Sequence, residues 1–189
     1  MLTEQVLEAE LIRKCLAGDQ RFYEPLVRAY EPVAHRVALG ILGDPDAAAD
    51  AVQQSFIKAY DALGRFDLDR RFKPWFLQIL RNQCRDELRR RKAGFAVTRM
   101  DAVMAQQLPG GDDPERDHRR AEARAILWEA LGLLSVDHRE VLVLKEIQGL
   151  SYEEIAEAEG IPEGTVASRL FHARRALKEA LEKMGVVYP

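Results

Sequence analysis

Apolar positions recur at spacings of three and four along nearly the whole chain. That period belongs to helices with one buried face. Runs of strict apolar-polar alternation are missing, as are Asn-Gly and Asp-Gly hairpin turns, so the pattern predicts an all-α fold. A first helix is expected after Thr3, with Val6, Leu7, Leu11 and Cys15 along one side and a stop at Gly18. Asp19 can cap a second helix carrying Phe22, Leu26, Tyr30, Val33, Val37 and Ile41. Pro25 suits a first turn there, while Pro32 predicts a kink or break. In Gly43-Asp44-Pro45 a stop is followed by a start, with Asp44 at the N-cap and Pro45 at the first helical position. The helix that opens there runs to about Gly64 and buries Ala48, Val52, Phe56, Ala59 and Leu63. After the polar connection RFDLDRRFK, a further helix spans roughly Pro74 to Arg91. Trp75, Phe76, Ile79, Leu80 and Leu88 supply its apolar surface, and its end is densely basic.

From Ala93 to about Arg120 the periodicity weakens around PGGDDPERD, a set of turn formers and acids that predicts an interdomain linker. A second helical block follows, to about Leu181. The predicted organisation is two small helical domains, 1–92 and 122–189, joined by a flexible linker over 93–121. Within the second block, Ser151 and Glu154 stand at capping-box spacing, and Gly160 can take the positive φ of a tight helix-to-helix turn. The next helix, from about Glu163, buries Val166, Leu170, Ala173, Leu177 and Leu181. Its opposite face displays Thr165, Ser168, His172, Arg175 and Glu179, with Arg169 and Phe171 at the margins. Helix, short turn and amphipathic second helix make a helix-turn-helix, whose second helix enters the DNA major groove. An ordinary helical hairpin with a solvated face is the competing reading. Short hydroxyl residues near the helix start and cations further along favour DNA, because the first reach base edges and the second neutralise phosphate.

Composition narrows the classes. With 47% hydrophobic and 31% charged residues, 189 residues can build soluble cores. No stretch reaches the length of a membrane span, and the start MLTEQVLEAE lacks a basic-then-apolar signal. Two cysteines, Cys15 and Cys84, fit a reducing cytoplasm rather than a disulfide scaffold. Four scattered histidines give no metal-ligand spacing, and no nucleophile-base pair or phosphate loop is visible, so no catalytic residue, metal or cofactor is expected. A net charge of −3 argues against coating nucleic acid by bulk charge and leaves local basic patches.

One such patch is Arg81 to Lys92, with six cations against two acids, following the aromatics Phe72, Trp75 and Phe76. Arg81, Arg85 and Arg89 recur every four residues, as a phosphate-tracking stripe would. Rings beside cations suit single-stranded DNA. The alternative is that Trp75 and Phe76 are core and the arginines a solvated helix end; Trp75 fits core, the stripe fits nucleic acid. A third segment, around Asp50 to Tyr60, leaves Asp50, Gln53, Gln54 and Ile57 together outside the Val52/Phe56 stripe. Such a patch can meet a partner protein or simply be solvated.

These segments, DPDAAADAVQQSFIKAY, RFKPWFLQILRNQCRDELRRR and LSYEEIAEAEGIPEGTVASRLFHARRALKEAL, resemble in order and separation the small extracytoplasmic-function group of bacterial sigma factors. The resemblance covers nearly the whole chain. It implies a subunit that binds core RNA polymerase, recognises −10 and −35 promoter elements as duplex and as melted non-template strand, and is commonly held by an anti-sigma factor. On this sequence, Asp50, Gln53 and Gln54 match the polymerase-contacting surface, and Ile57 belongs to the same outer patch. The loop from Arg65 through Phe66 to Phe72 matches the part of the −10 surface that receives an extruded base and Asn82 a polar position there, with Trp75, Arg85 and Arg89 of the adjoining basic-aromatic helix expected beside them. Thr165, Ser168, Arg169, Phe171, His172 and Arg175 match the −35 helix. The chain departs from the family pattern at Gln54, where an acid is usual, at Ala167, where a basic residue is common, and at His172, where arginine is frequent. A helix-turn-helix regulator acting without polymerase, or an adaptor binding only proteins, are the rival classes.

Overall fold

The computed structural model describes residues 2–93 and 114–186, and among them all regular structure is helical. The first unit comprises α1 (Leu2–Leu16), α2 (Tyr23–Leu42), α3 (Pro45–Ala62) and α4 (Phe72–Ala93), with single 3₁₀ turns at Gln20–Phe22 and Leu63–Arg65. The second comprises α5 (Pro114–Gly132), α6 (Val136–Leu142), a π-helical turn (Val143–Ile147), α7 (Tyr152–Glu159) and α8 (Glu163–Lys183).

Local chemistry sets most boundaries. Gly43 ends α2 in the left-handed region at φ 67°, and its N–H donates to the Leu39 carbonyl. Asp44 then caps α3 by accepting from the Ala47 N–H, with Pro45 in the first turn where its missing donor costs nothing. Ser151 and Glu154 form the reciprocal capping box at the start of α7. Gly160 leaves α7 at φ 67° and starts the turn into α8.

Several expectations are corrected. α2 continues through Pro32, so of the expected kink or break the break does not occur; the buried Leu26, Tyr30, Ala34 and Val37 hold the helix on both sides, and their packing outweighs one lost helix bond. On α1, Val6 and Leu7 are more than 60% exposed, and the inward side is Ala9, Ile12 and Cys15. Of the expected side, Leu11 and Cys15 pack on the core while Val6 and Leu7 do not. The expected linker over 93–121 is already helical from Pro114, a residue suited to a first helical position. The flexibility expected of the remaining connection, 94–113, concerns residues outside those described.

The two units do not stand apart. α4 packs on α7, and α2 packs on α6 and the π-helical turn, so one apolar core runs through both.

Candidate nucleic-acid interface

α3 faces inward with Val52, Ser55, Phe56 and Ala59. The same helical period therefore puts Asp50, Gln53, Gln54 and Ile57 outside, and all four are exposed. Beside them an open groove of about 670 Å³ runs between α2 and α3, floored by Tyr23, Val27, Val52 and Phe56. Tyr23 closes its base by donating from its hydroxyl to the Phe56 carbonyl at 2.7 Å, and burial raises its pKa. This surface combines a carboxylate, two amides and an apolar side chain beside an apolar groove.

The connection to α4 is built on rings. Phe66 stacks its edge on Phe72 at 5.8 Å and meets Trp75 at 4.8 Å, while Phe72 lies parallel to Phe76 at 5.9 Å. Phe72 is fully buried and Phe66 nearly so, and together they form the floor on which the connection rests. Trp75 is half-buried at the edge of this floor, and Arg65 and Asn82 are exposed.

The arginine stripe of α4 divides. Arg89 is exposed and pairs with Asp86 at 2.9 Å. Arg85 instead donates from Nε and Nη2 to Glu140 at 2.8 and 2.6 Å, and from Nη2 to Asp137 as well. Arg81 lies 3.7 Å from the same Glu140. Arg85 is therefore not open to phosphate in this arrangement. The bonding to Glu140 raises its pKa, whereas burial lowers that of Arg81. Glu140 is wholly buried on the inward side of α6.

On α8, Ser168, Phe171, His172 and Arg175 are exposed, and the Phe171 ring sits edge-on to His172 at 5.4 Å. Thr165 is half-buried at the helix start, and its carbonyl accepts from the Ser168 hydroxyl at 3.0 Å. Arg175 makes a loose pair with Glu179 at 3.4 Å. Arg169 is half-buried and donates to Glu159 at 2.6 Å, tying α8 to α7. Burial raises the pKa of Glu159, and nearby Glu140 adds to that effect.

Sequence reasoning missed Asp137, Arg139, Glu140 and Glu157. Arg139 donates from Nη1 to the Ile41 carbonyl at 2.7 Å and from Nε to the Leu131 carbonyl at 2.9 Å. The available signal was Glu140 placed directly before the apolar run Val141 to Leu144, a charge the helical period puts on the inner side. Among the described residues no cluster is arranged to hold a metal ion, and no helix is long and apolar enough to cross a membrane.

The family model of Sigma-70 region 2 matches residues 26–94, from α2 to the end of α4, and that of Sigma-70 region 4 matches residues 124–177. The RNA polymerase sigma-H factor of Pseudomonas aeruginosa is 35% identical over 190 residues, 97% of this chain and 98% of its own. The ECF RNA polymerase sigma-E factor of Escherichia coli K12 is 32% identical over 194 residues, again 97% and 98%. Among solved structures, CnrH in complex with the cytosolic domain of CnrY aligns with a TM-score of 0.70 at 28% identity, covering 94% of this chain and 98% of that one. The sigma factor RpoE of Bartonella quintana, in complex with the anti-sigma factor NepR, aligns at 0.68 and 27% identity, covering 85% and 96%. With both regions matched in order, and relatives of this identity spanning almost its whole length, the chain belongs to the extracytoplasmic-function group of bacterial RNA polymerase sigma factors.

Proposed function

We propose that this chain directs core RNA polymerase to promoters from the cytoplasm, and that each of its three surfaces has one task. The α3 edge with Asp50, Gln53, Gln54 and Ile57 docks on polymerase. The connection and outer side of α4, with Arg65, Trp75, Asn82 and Arg89, take the melted −10 strand, joined by Arg85 when it is released from Glu140. The α8 face with Thr165, Ser168, Phe171, His172 and Arg175 reads the duplex at −35. The observation that carries this reading is the fall of the region 2 and region 4 matches on two helical units whose α3 and α8 outer faces are both exposed.

The chain does no bond chemistry and takes no cofactor; polymerase supplies the phosphodiester step. Its contribution to opening is binding energy. Extruding a base costs a few kcal/mol, which stacking and hydrogen bonding in a fitted site offset. Two half-surfaces, each weak alone, gain from being held together on a large rigid partner. An anti-sigma factor is the inhibitory partner this reading expects, in keeping with the RpoE relative bound to NepR.

The test is co-purification with core polymerase. Asp50→Lys combined with Gln53→Ala and Gln54→Ala should weaken retention while leaving helix content and melting unchanged, because none of the three side chains enters the core. Undiminished retention contradicts the assignment of α3.

A further inference from the structure

α1 carries its side chains the wrong way round for a helix that only packs. Ala9, Ile12 and Cys15 are buried, and Gln5 and Glu8 stand on the same side at spacings of three and four, both half-buried. Val6 and Leu7 are turned to solvent instead. Polar residues on the packed side with apolar ones outside run against the pattern that burial alone selects, and such departures mark places with another task.

Each of the two polar residues serves the connection between α3 and α4. Gln5 donates from Nε2 to the Asp69 carbonyl at 2.9 Å, across 64 residues of chain. Asp69 lies in a tight turn, where the Arg70 N–H donates to the Asp67 carbonyl at 3.0 Å and the Asp67 carboxylate accepts from the Asp69 N–H at 3.0 Å. These bonds close the turn on itself and leave its orientation on the rest of the unit open. The Asp69 carbonyl, which neither of them uses, is the group that α1 takes. Glu8 accepts from the Tyr30 hydroxyl, and the Tyr30 ring leans on Phe72 at 5.3 Å, in the ring floor under the same connection. Arg70 and Arg71 also tie the turn, to Glu157 and Glu154, but those acids belong to the second unit. The bond from Gln5 stays within the unit that carries the connection.

We propose that α1 buttresses the −10 site: Gln5, supported by Glu8 through Tyr30, is a positioning residue that fixes the turn over 67–70 in the orientation that holds an extruded base. This rests on the reading of the connection over 65–72 as the place that receives that base. A loop discriminates between bases when its donors and acceptors are held in place before the base arrives; a turn free to swing bears the ordering cost on binding and gives up selectivity. Gln5 touches no DNA in this scheme. Its loss should reduce selectivity for the extruded base and leave the phosphate contacts and the −35 reading as they were.

The experiment reads the turn and the base preference separately. Gln5→Met keeps the length and helix propensity of the side chain and removes its donor, while Gln5→Lys restores one. Hydrogen exchange is followed over residues 66–71 of the full chain. Initiation by reconstituted holoenzyme is sequenced on templates of one promoter that the native chain uses, randomised in turn at −10 and at −35. Gln5→Met should speed exchange over 66–71 and cut the preference for the favoured base at the extruded position by about three- to tenfold, the span of one net hydrogen bond. For this variant the −35 preference and the melting temperature should not move, and Gln5→Lys should recover the −10 preference. Tyr30→Phe, which keeps the ring on Phe72 and loses the bond to Glu8, should shift both readouts in the same direction. Exchange over 66–71 unchanged in both variants overturns the buttress, and a loss that Gln5→Lys does not recover overturns the donor's role. Asn82→Ala separates the remaining outcomes. If it flattens the −10 preference while Gln5→Met loosens the turn without doing so, the positioning role falls and the −10 reading stands. If Asn82→Ala also leaves the preference intact, the −10 reading falls with it.

Discussion

Asp44 shows how much one side chain arranges in this protein. Its carboxylate accepts from the Ala47 N–H at 3.0 Å and from Arg91 Nη2 at 3.0 Å, so it starts α3 and ties the basic end of α4 to that corner. The Ala47 N–H, with Arg91 adding to it, holds the Asp44 carboxyl below its ordinary pKa despite partial burial. The sign follows: a depressed acid stabilises the fold above the ordinary carboxylate range and loses that contribution as the pH falls through its folded value. Asp44→Ala should cost about 1 kcal/mol at neutral pH, the usual worth of a cap. In urea unfolding, the gap between native chain and variant should narrow in acid, whereas Asp44→Asn should retain most of the cap. A gap that does not change with pH contradicts the ionised-cap assignment.

At the scale of the element, the proposed reading gives α8 two jobs on two sides, and substitutions should separate them. Ser168, His172 and Arg175 replaced by alanine should weaken promoter binding by about 1–3 kcal/mol per base-reading contact and leave melting unchanged. On templates stripped of the −35 element these variants should match the native chain; a loss there as large as on the intact template contradicts the reading. Arg169→Ala should behave in the opposite way, lowering stability by about 1–3 kcal/mol because it leaves the buried Glu159 without its partner. Such a split shows what was legible in the sequence. Asp44-Pro45, the Ser151/Glu154 box and Gly160 were readable because each acts on backbone groups within a few residues. The buried stripe of α3 and the exposed residues beside it followed from period alone. The partners that Arg85, Arg169 and Phe66 find were not readable, because helical period names a face and no partner: Arg85 meets Glu140, 55 residues on, Arg169 meets Glu159, and Phe66 meets Phe72 and Trp75. Helical periodicity likewise finds a face without saying what covers it: of the side formed by Val6, Leu7, Leu11 and Cys15, only Leu11 and Cys15 meet the core. The π-helical turn has no local sequence signal of the capping kind, and its place follows from contact with α2.

For the molecule as a whole, the net charge of −3 and the pairing of Arg81 and Arg85 with Glu140 both act against DNA binding by the chain alone. No bulk positive field is available to steer it, and two of the arginines of α4 are taken up by Glu140. The account therefore predicts weak, poorly specific promoter binding by the isolated chain and sharp specificity once polymerase holds both units in place. The most direct measurement is transcription by core RNA polymerase on genomic DNA fragments of the source organism, with and without this chain, sequencing the transcripts' 5′ ends. The account predicts discrete start sites that share a spaced pair of upstream elements, vanish without the chain, and fall away with the Asp50, Gln53 and Gln54 substitutions. Start sites unchanged by the chain, together with tight sequence-specific duplex binding by the chain alone, would contradict it.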